Sequence, residues 1–251
     1  MDRAVEIIGD PNLPVPLVIT CEHASNRLPP HLESNAEDRP WLESHWGWDI
    51  GAADVTRELV RLTGSVAVLS CFSRLVCDAN RPCSHPTWIL TEVEGQRLSF
   101  NRDLDQAERE RRLCDLHGAY HAAVDRVLSQ RTRLGGDILL LAIHSFTPVF
   151  RGQVRTMELG VLFNEHEAVA RRLEALLQEQ GFRTALNEPY SGLSGMVYAV
   201  HFHGRNHDLV YQELEIRQDL IATPDTARAV AGRIAAALAG LQVRRHLRQS
   251  E

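Results

Sequence analysis

Two short apolar runs in this chain end at a histidine. Leu139-Leu-Leu-Ala-Ile143 is followed directly by His144, and Leu17-Val-Ile-Thr-Cys21 is followed by Glu22 and His23. Uncharged runs of this length read as strands buried on both faces, as in a parallel sheet. Open α/β sheets take their ligands at the carboxyl ends of such strands, so both imidazoles are delivered to one sheet edge. One histidine there would be a core residue bonded to a carbonyl. Two make a metal site the better reading, because imidazole is a preferred ligand for zinc and related ions. Other groups stand close by in type and position. Asn26 follows His23. Asp78, Asn80 and Arg81 follow another apolar stretch. In Gln212-Glu-Leu-Glu-Ile-Arg217, alternation puts Glu213, Glu215 and Arg217 on one face. If that strand is internal to the sheet, helices cover the face and its charges are not merely solvated.

Delivering these groups to one place requires alternating strands and helices, and the chain reads that way. Strands are expected at residues 17–21, 66–70, 75–77, 139–144, 159–163 and 209–216, with an edge strand at 182–186. Helices are expected at 50–62, 105–129 and 166–178, and from the Thr223-Pro224-Asp225 start to about 238. Residues 1–16 read as a Pro-rich lead-in, 83–101 as an irregular insertion over the site, and 190–206 as a Gly-rich loop carrying His201 and His203. Residues 242–251 read as a frayed polar tail. The alternation predicts a single α/β domain spanning 1–251, with its core at about 15–239. Its central sheet is largely parallel or mixed, with helices on both faces.

Composition narrows the partners. The chain has 251 residues with 27 basic and 33 acidic side chains, a net charge of -6. That leaves no basic excess for nucleic acid as a general partner. The apolar runs are too short to span a bilayer, and the first residues lack the apolar core of a signal peptide. A cytoplasmic location is therefore expected. Five cysteines, an odd number with no Cys-x-x-Cys pair, argue against a disulfide framework. No G-x-G-x-x-G follows the first strand, which disfavours a dinucleotide binder. A cysteine hydrolase built on Cys21 beside His23 is also disfavoured, and stays open only because the two share a strand face.

Three segments carry a resemblance: Cys21-Glu-His-Ala-Ser-Asn26, Ser73-Arg-Leu-Val-Cys-Asp-Ala-Asn-Arg-Pro82 and Gln212-Glu-Leu-Glu215. Together they resemble the N-formylglutamate amidohydrolase family, over most of the chain and most strongly in Asp78-Ala-Asn-Arg81. That family is in turn similar to the zinc carboxypeptidases, which implies a zinc-carboxypeptidase-like fold. It also implies Zn2+ held by His23 and His144, Glu215 as general base, and Asn80 with Arg81 on a substrate carboxylate. One departure matters. Asn26 stands where the carboxypeptidases have a zinc-binding glutamate, and an amide is a poor zinc ligand beside a carboxylate. Asp49, which opens a helix after His45-Trp-Gly-Trp48, is the replacement of choice, with helix capping as its other reading. Asn26 then falls to substrate binding, and Glu22 is a weaker third candidate for the metal.

The implied reaction is hydrolysis of an N-acyl acidic amino acid, most simply N-formyl-L-glutamate to formate and L-glutamate. The partner is thus a small molecule bearing a carboxylate. The same residues also suit a carboxypeptidase-like or other N-acylamino-acid hydrolase, or a non-catalytic carboxylate binder with a degenerate metal site. Arg74, Arg151 and Arg155 are further candidates for a second carboxylate or an oxyanion. His201, His203 and His207 are candidates to line the site.

Overall fold

The computed structural model describes residues 4–241. In chain order its elements are β1 (Val5–Ile8), β2 (Leu17–Cys21), α1 (Arg39–Glu43), α2 (Ala52–Thr63) and β3 (Val66–Ser70). A small hairpin of β4 (Glu92–Val93) and β5 (Gln96–Arg97) comes next, then α3 (Gln106–Arg112) and α4 (Ala119–Arg133). β6 (Leu139–Phe146) leads to a second hairpin of β7 (Val149–Phe150) and β8 (Gln153–Val154), then β9 (Leu159–Leu162), α5 (Glu167–Glu179) and β10 (Thr184–Leu186). α6 (Tyr198–Asn206), β11 (Val210–Arg217) and α7 (Pro224–Ala239) complete the described chain. Seven strands form one mixed sheet in the order β1-β3-β2-β6-β11-β9-β10. β3, β2, β6 and β11 run parallel at its centre, β1 pairs antiparallel with β3, and β9 pairs antiparallel with β11 and parallel with β10. None of the helices is long and apolar enough to cross a membrane, among the described residues.

The site follows from strand alternation. β2, β3 and β6 are buried along their whole length, as central parallel strands must be when helices cover both faces. One face carries Ile19, Leu69, Leu141, Ile143 and Leu214, packed with Leu59 of α2, Leu173 of α5 and Ile234 of α7. The other carries Val18, Val68, Leu140, Ala142 and Tyr211, packed with Val124 and Leu128 of α4. Each such aliphatic contributes about 1.5–3 kcal/mol on burial. Toward the carboxyl ends of the strands this second face changes character. Val18 and Thr20 give way to Glu22, Leu140 and Ala142 to His144, and Tyr211 to Glu213 and Glu215. All four of these ionisable residues are buried.

Four expectations need correction. Residues 75–77 are not a strand. The Ser73 hydroxyl accepts from the Leu75 amide and donates to the Gly47 carbonyl, folding the run into a buried turn. Residues 5–8 form an edge strand rather than a lead-in, because β3 supplies the pairing partner. The second half of the expected 190–206 loop is helix α6. The Ala199 amide in its first turn donates to Asn80 Oδ1, a cap from 119 residues away that local sequence does not reveal. Finally, α3 and α4 are joined by a π-helical stretch, Leu113–Gly118. That extra residue per turn rotates the helix face, so Arg112 enters the core and Leu113, expected on the apolar side, is exposed. The expected polar tail at 242–251 lies outside the described residues.

Arg112 holds the long excursion between β3 and α3. It is fully buried. Its guanidinium donates to the carbonyls of Val76 (2.9 Å) and Phe100 (2.8 Å), to Asn101 Oδ1 and to Glu108 (2.9 Å). Asn101 in turn donates to the carbonyls of Leu75 and Leu90. The segment carrying Asp78, Asn80 and Arg81 is thus pinned from behind. Arg112→Met leaves several buried acceptors unpaired, at about 1–3 kcal/mol each. Urea unfolding should show a loss of roughly 3 kcal/mol or more at unchanged slope. A loss below about 1 kcal/mol would mean that these bonds do not hold the loop.

Candidate functional site

At the carboxyl ends of β2 and β6, His23 and His144 meet edge to face with ring centroids 4.8 Å apart. The Asp49 carboxylate sits between them. Its Oδ2 lies 3.3 Å from His23 Nδ1 and 2.8 Å from His144 Nδ1, and also accepts from the Ser145 amide at 3.2 Å. Asp49 is brought there by the turn before α2, where its own amide donates to the His23 carbonyl at 3.0 Å. Gly51 makes the turn. Its φ of 81° is left-handed, and a Cβ there would lie 2.2 Å from the Ile221 carbonyl oxygen. Gly51, not Asp49, is the cap residue of α2, so the Asp49 side chain is free to serve the histidines.

The outer nitrogens of both rings are also held. His23 Nε2 lies 2.7 Å from Asp78 Oδ1, and His144 Nε2 lies 2.9 Å from Glu22 Oε2. Tyr120 donates to the other Glu22 oxygen at 2.9 Å. Asp78 is itself clamped by Arg74 at 2.8 Å and Arg81 at 3.4 Å, while Arg74 also reaches Asp49 at 3.6 Å. Glu213 lies 3.6 Å from His144 Nε2 and accepts from Asn80 Nδ2 at 3.2 Å. Glu215 pairs with His144 across the parallel register. It is buried, and its Oε2 has no hydrogen-bond partner among the described residues.

The charges of this site do not balance. Glu22, Asp49, Asp78, Glu213 and Glu215, five carboxylates, are buried around two imidazoles and the guanidinium groups of Arg74 and Arg81. Burial works against the charged forms of Glu22 and Asp78. For Glu22 the His144 ring wins, holding it down at about 2. For Asp78 the charges of Arg74 and His23 win, and it stays well below the usual carboxylate range. Asp49 is likewise held low against its burial by His23 and His144. For Glu213 and Glu215 burial outweighs the opposing pull of His144 and raises both above the usual range. His144 answers the excess. Burial disfavours its imidazolium, but Glu213, Asp49 and Glu22 override this and push it well above its ordinary pKa. Surroundings that hold a proton so firmly also suit a divalent cation, for which protons then compete.

The donor set fits a metal. His23, Asp49 and His144 each offer a ligand atom, and these atoms lie within 4.8 Å of one another in a buried group. Two imidazoles and a carboxylate are a set that zinc accepts with a position left for substrate or water. Both Nδ1 atoms face the shared carboxylate while both Nε2 atoms are anchored on carboxylates. That is the outer support metal-bound histidines use to fix ring orientation and basicity.

Of the residues singled out in the sequence, His23, His144, Asp49 and Glu215 come together here. Asn80 and Arg81 border the site through Glu213 and Asp78. Asn26 is only half-buried, in the irregular stretch after His23. Asn80 has its amide committed within the protein, to Glu213, the Met196 carbonyl and the Ala199 amide. His203 and His207 lie elsewhere, bonded to Asp125 of α4. His201 bonds to Tyr211 and Asn164. Cys21 belongs to the apolar core on the opposite face, and burial pushes its thiol up to about 12, which removes it as a nucleophile. Sequence reasoning named Glu22 only as a weaker metal candidate and Asp78 only beside Asn80 and Arg81, and did not assign either to the support of a histidine. Glu22 was findable, since alternation carries it onto the face of His144. Asp78 was not, because its partner depends on how the loop after β3 folds back.

A family model described as N-formylglutamate amidohydrolase matches residues 15–222. Among solved structures, the chain is similar to the gene product Atu2144 from Agrobacterium tumefaciens. The two are 31% identical with a TM-score of 0.85, over 95% of this chain and 96% of the other. It is also similar in fold to an N-formylglutamate amidohydrolase from Ralstonia eutropha JMP134, at 16% identity and a TM-score of 0.73, over 94% and 96% of the two chains. No curated protein sequence matches.

The geometry separates inner from outer residues. In zinc titrations, His23→Ala, His144→Ala and Asp49→Ala should lose tight binding while keeping the fold, and Asn26→Ala should bind as the unaltered protein does. Asp78→Asn should weaken binding by roughly 10–100-fold, the usual scale for an outer partner. Undiminished affinity in Asp49→Ala would remove Asp49 from the centre.

Proposed function

This chain belongs to the N-formylglutamate amidohydrolase family, and from that premise we propose that it is a zinc-dependent hydrolase of N-acyl acidic amino acids, with N-formyl-L-glutamate as the first candidate substrate. The observation that carries the reading is the buried His23-Asp49-His144 group with the unpartnered Glu215 oxygen beside it. Zinc held by these three residues would polarise the scissile carbonyl and make water acidic enough to lose a proton near neutral pH.

The protein's own groups carry the rest. Glu215 stands next to His144 with a free oxygen and a pKa raised by burial. It can therefore take a proton from water and return it to the leaving amine, the task of a general base whose pKa lies near the working pH. Arg81, half-buried at the mouth and steadied by Asp78, presents a planar fork suited to a carboxylate. Asn80 stands beside it, joining Glu213 to the start of α6. Arg74 bridges Asp49 and Asp78, which keeps the metal-binding carboxylate and the support of His23 in one rigid frame. Products are the free amino acid and the acyl acid, formate in the simplest case.

Glu215→Gln keeps the shape and removes the proton acceptor. Zinc should stay bound while formate release from N-formyl-L-glutamate falls by roughly 100-fold or more. Near-normal turnover in this variant, together with loss in Glu213→Gln, would transfer the role of base to Glu213.

A further inference from the structure

One guanidinium at this edge of the sheet is not committed to a carboxylate. Arg74 and Arg81 pair with Asp78, and Arg217 pairs with Asp219. Arg155, just after the β7–β8 hairpin, has no carboxylate within ion-pair reach among the described residues. Its position is nevertheless fixed. Its amide donates to the Pro148 carbonyl at 2.9 Å, and its own carbonyl accepts from Arg217, two residues beyond Glu215, at 3.3 Å. Nη1 donates to the Thr147 carbonyl at 3.3 Å and hydroxyl at 3.2 Å. The guanidinium carbon lies over three rings, 5.6 Å from Phe146, 4.9 Å from Phe150 and 5.2 Å from Tyr190. Rings hold the flat face of a guanidinium and leave its N–H edge available for an anion.

Arg155 also faces the site. Thr147 lies three residues beyond His144, and the Arg155 charge acts on Glu215 and on His45. His45, on the turn that delivers Asp49, has its Nε2 enclosed without a hydrogen-bond partner among the described residues. A free arginine edge and an orphan imidazole nitrogen therefore border the same space. Arg81 stands on the loop after β3, on the other side of the histidine pair.

We propose that Arg155, seated on Phe146, Phe150 and Tyr190, holds the second carboxylate of a dicarboxylic N-acyl amino acid and thereby sets the preference for an acidic substrate, with His45 as a further donor. This rests on the amidohydrolase reading above and adds to it a residue that chooses among amino acids. Arg81 takes one carboxylate, Arg155 the other, and the scissile amide lies between them beside Glu215.

The test compares kcat/KM for N-formyl-L-glutamate and N-formyl-L-glutamine, which differ by one charge, in zinc-loaded protein and in Arg155→Gln and Arg155→Lys. The unaltered protein should prefer the glutamate substrate by roughly 10- to 100-fold, the worth of a hydrogen-bonded charge, and Arg155→Gln should bring the ratio to within about threefold. The change should come chiefly through KM for the glutamate substrate. Arg155→Lys, which keeps the charge without the fork, should recover part of the preference. A merely structural role would lower both substrates together and leave the ratio intact. That outcome overturns the Arg155 proposal alone, because turnover of formyl amino acids would still stand. Failure of the unaltered, zinc-loaded protein to release formate from either substrate overturns the amidohydrolase reading and this proposal with it.

Discussion

A buried carboxylate shared by two imidazoles ties together the charged groups at the carboxyl ends of the central strands. Asp49 is bonded to His23 and His144 at once, which fixes the two rings against each other. Isolated buried charges are costly, and they persist where they are paired, hydrogen-bonded or bound to metal. Here the pairing is extended outward through Asp78 and Glu22 to Arg74 and Tyr120. The result is a rigid frame that still carries more negative than positive charge. A frame that is tightly bonded yet unbalanced is suited to a cation, and the fold supplies it at the strand ends where α/β sheets bind their ligands.

Two covalently distant segments are joined by Asn80. Its amide accepts from the start of α6 and donates toward Glu213 and the Gly-rich stretch before the helix. Arg81, the proposed carboxylate binder, thus follows directly on a residue bonded to α6 and β11. Arg112 does the same from behind, through the carbonyls of residues 76 and 100. The proposed substrate positioning would draw on the same buried polar bonds that stabilise the fold.

Much of this was legible in the sequence, and the reasons are physical. Uncharged runs stopping just before Glu22-His23 and at His144 could hardly be anything but central strands, and Thr223-Pro224 marked the start of α7. The parallel core and its two helical faces followed. What sequence could not supply were bonds between distant segments. The cap on α6 comes from Asn80, the turn at 73–77 is made by Ser73 with Gly47, and the π stretch after Arg112 shifts a face that a regular helix period would have kept. In the site, Asp49 was reachable because a carboxylate was missing at Asn26 and the alternatives were few. Asp78 behind His23 was not, since nothing local links a loop after β3 to the end of β2.

The proposed hydrolase rests on a zinc ion held by His23, Asp49 and His144. The most direct measurement is an anomalous-scattering map at the zinc absorption edge from crystals of the protein purified without added metal. One strong peak should lie among His23 Nδ1, His144 Nδ1 and the Asp49 carboxylate, about 2.0–2.2 Å from each ligand atom. No peak there after zinc soaking, or a peak confined to another part of the molecule, would contradict zinc binding by this group.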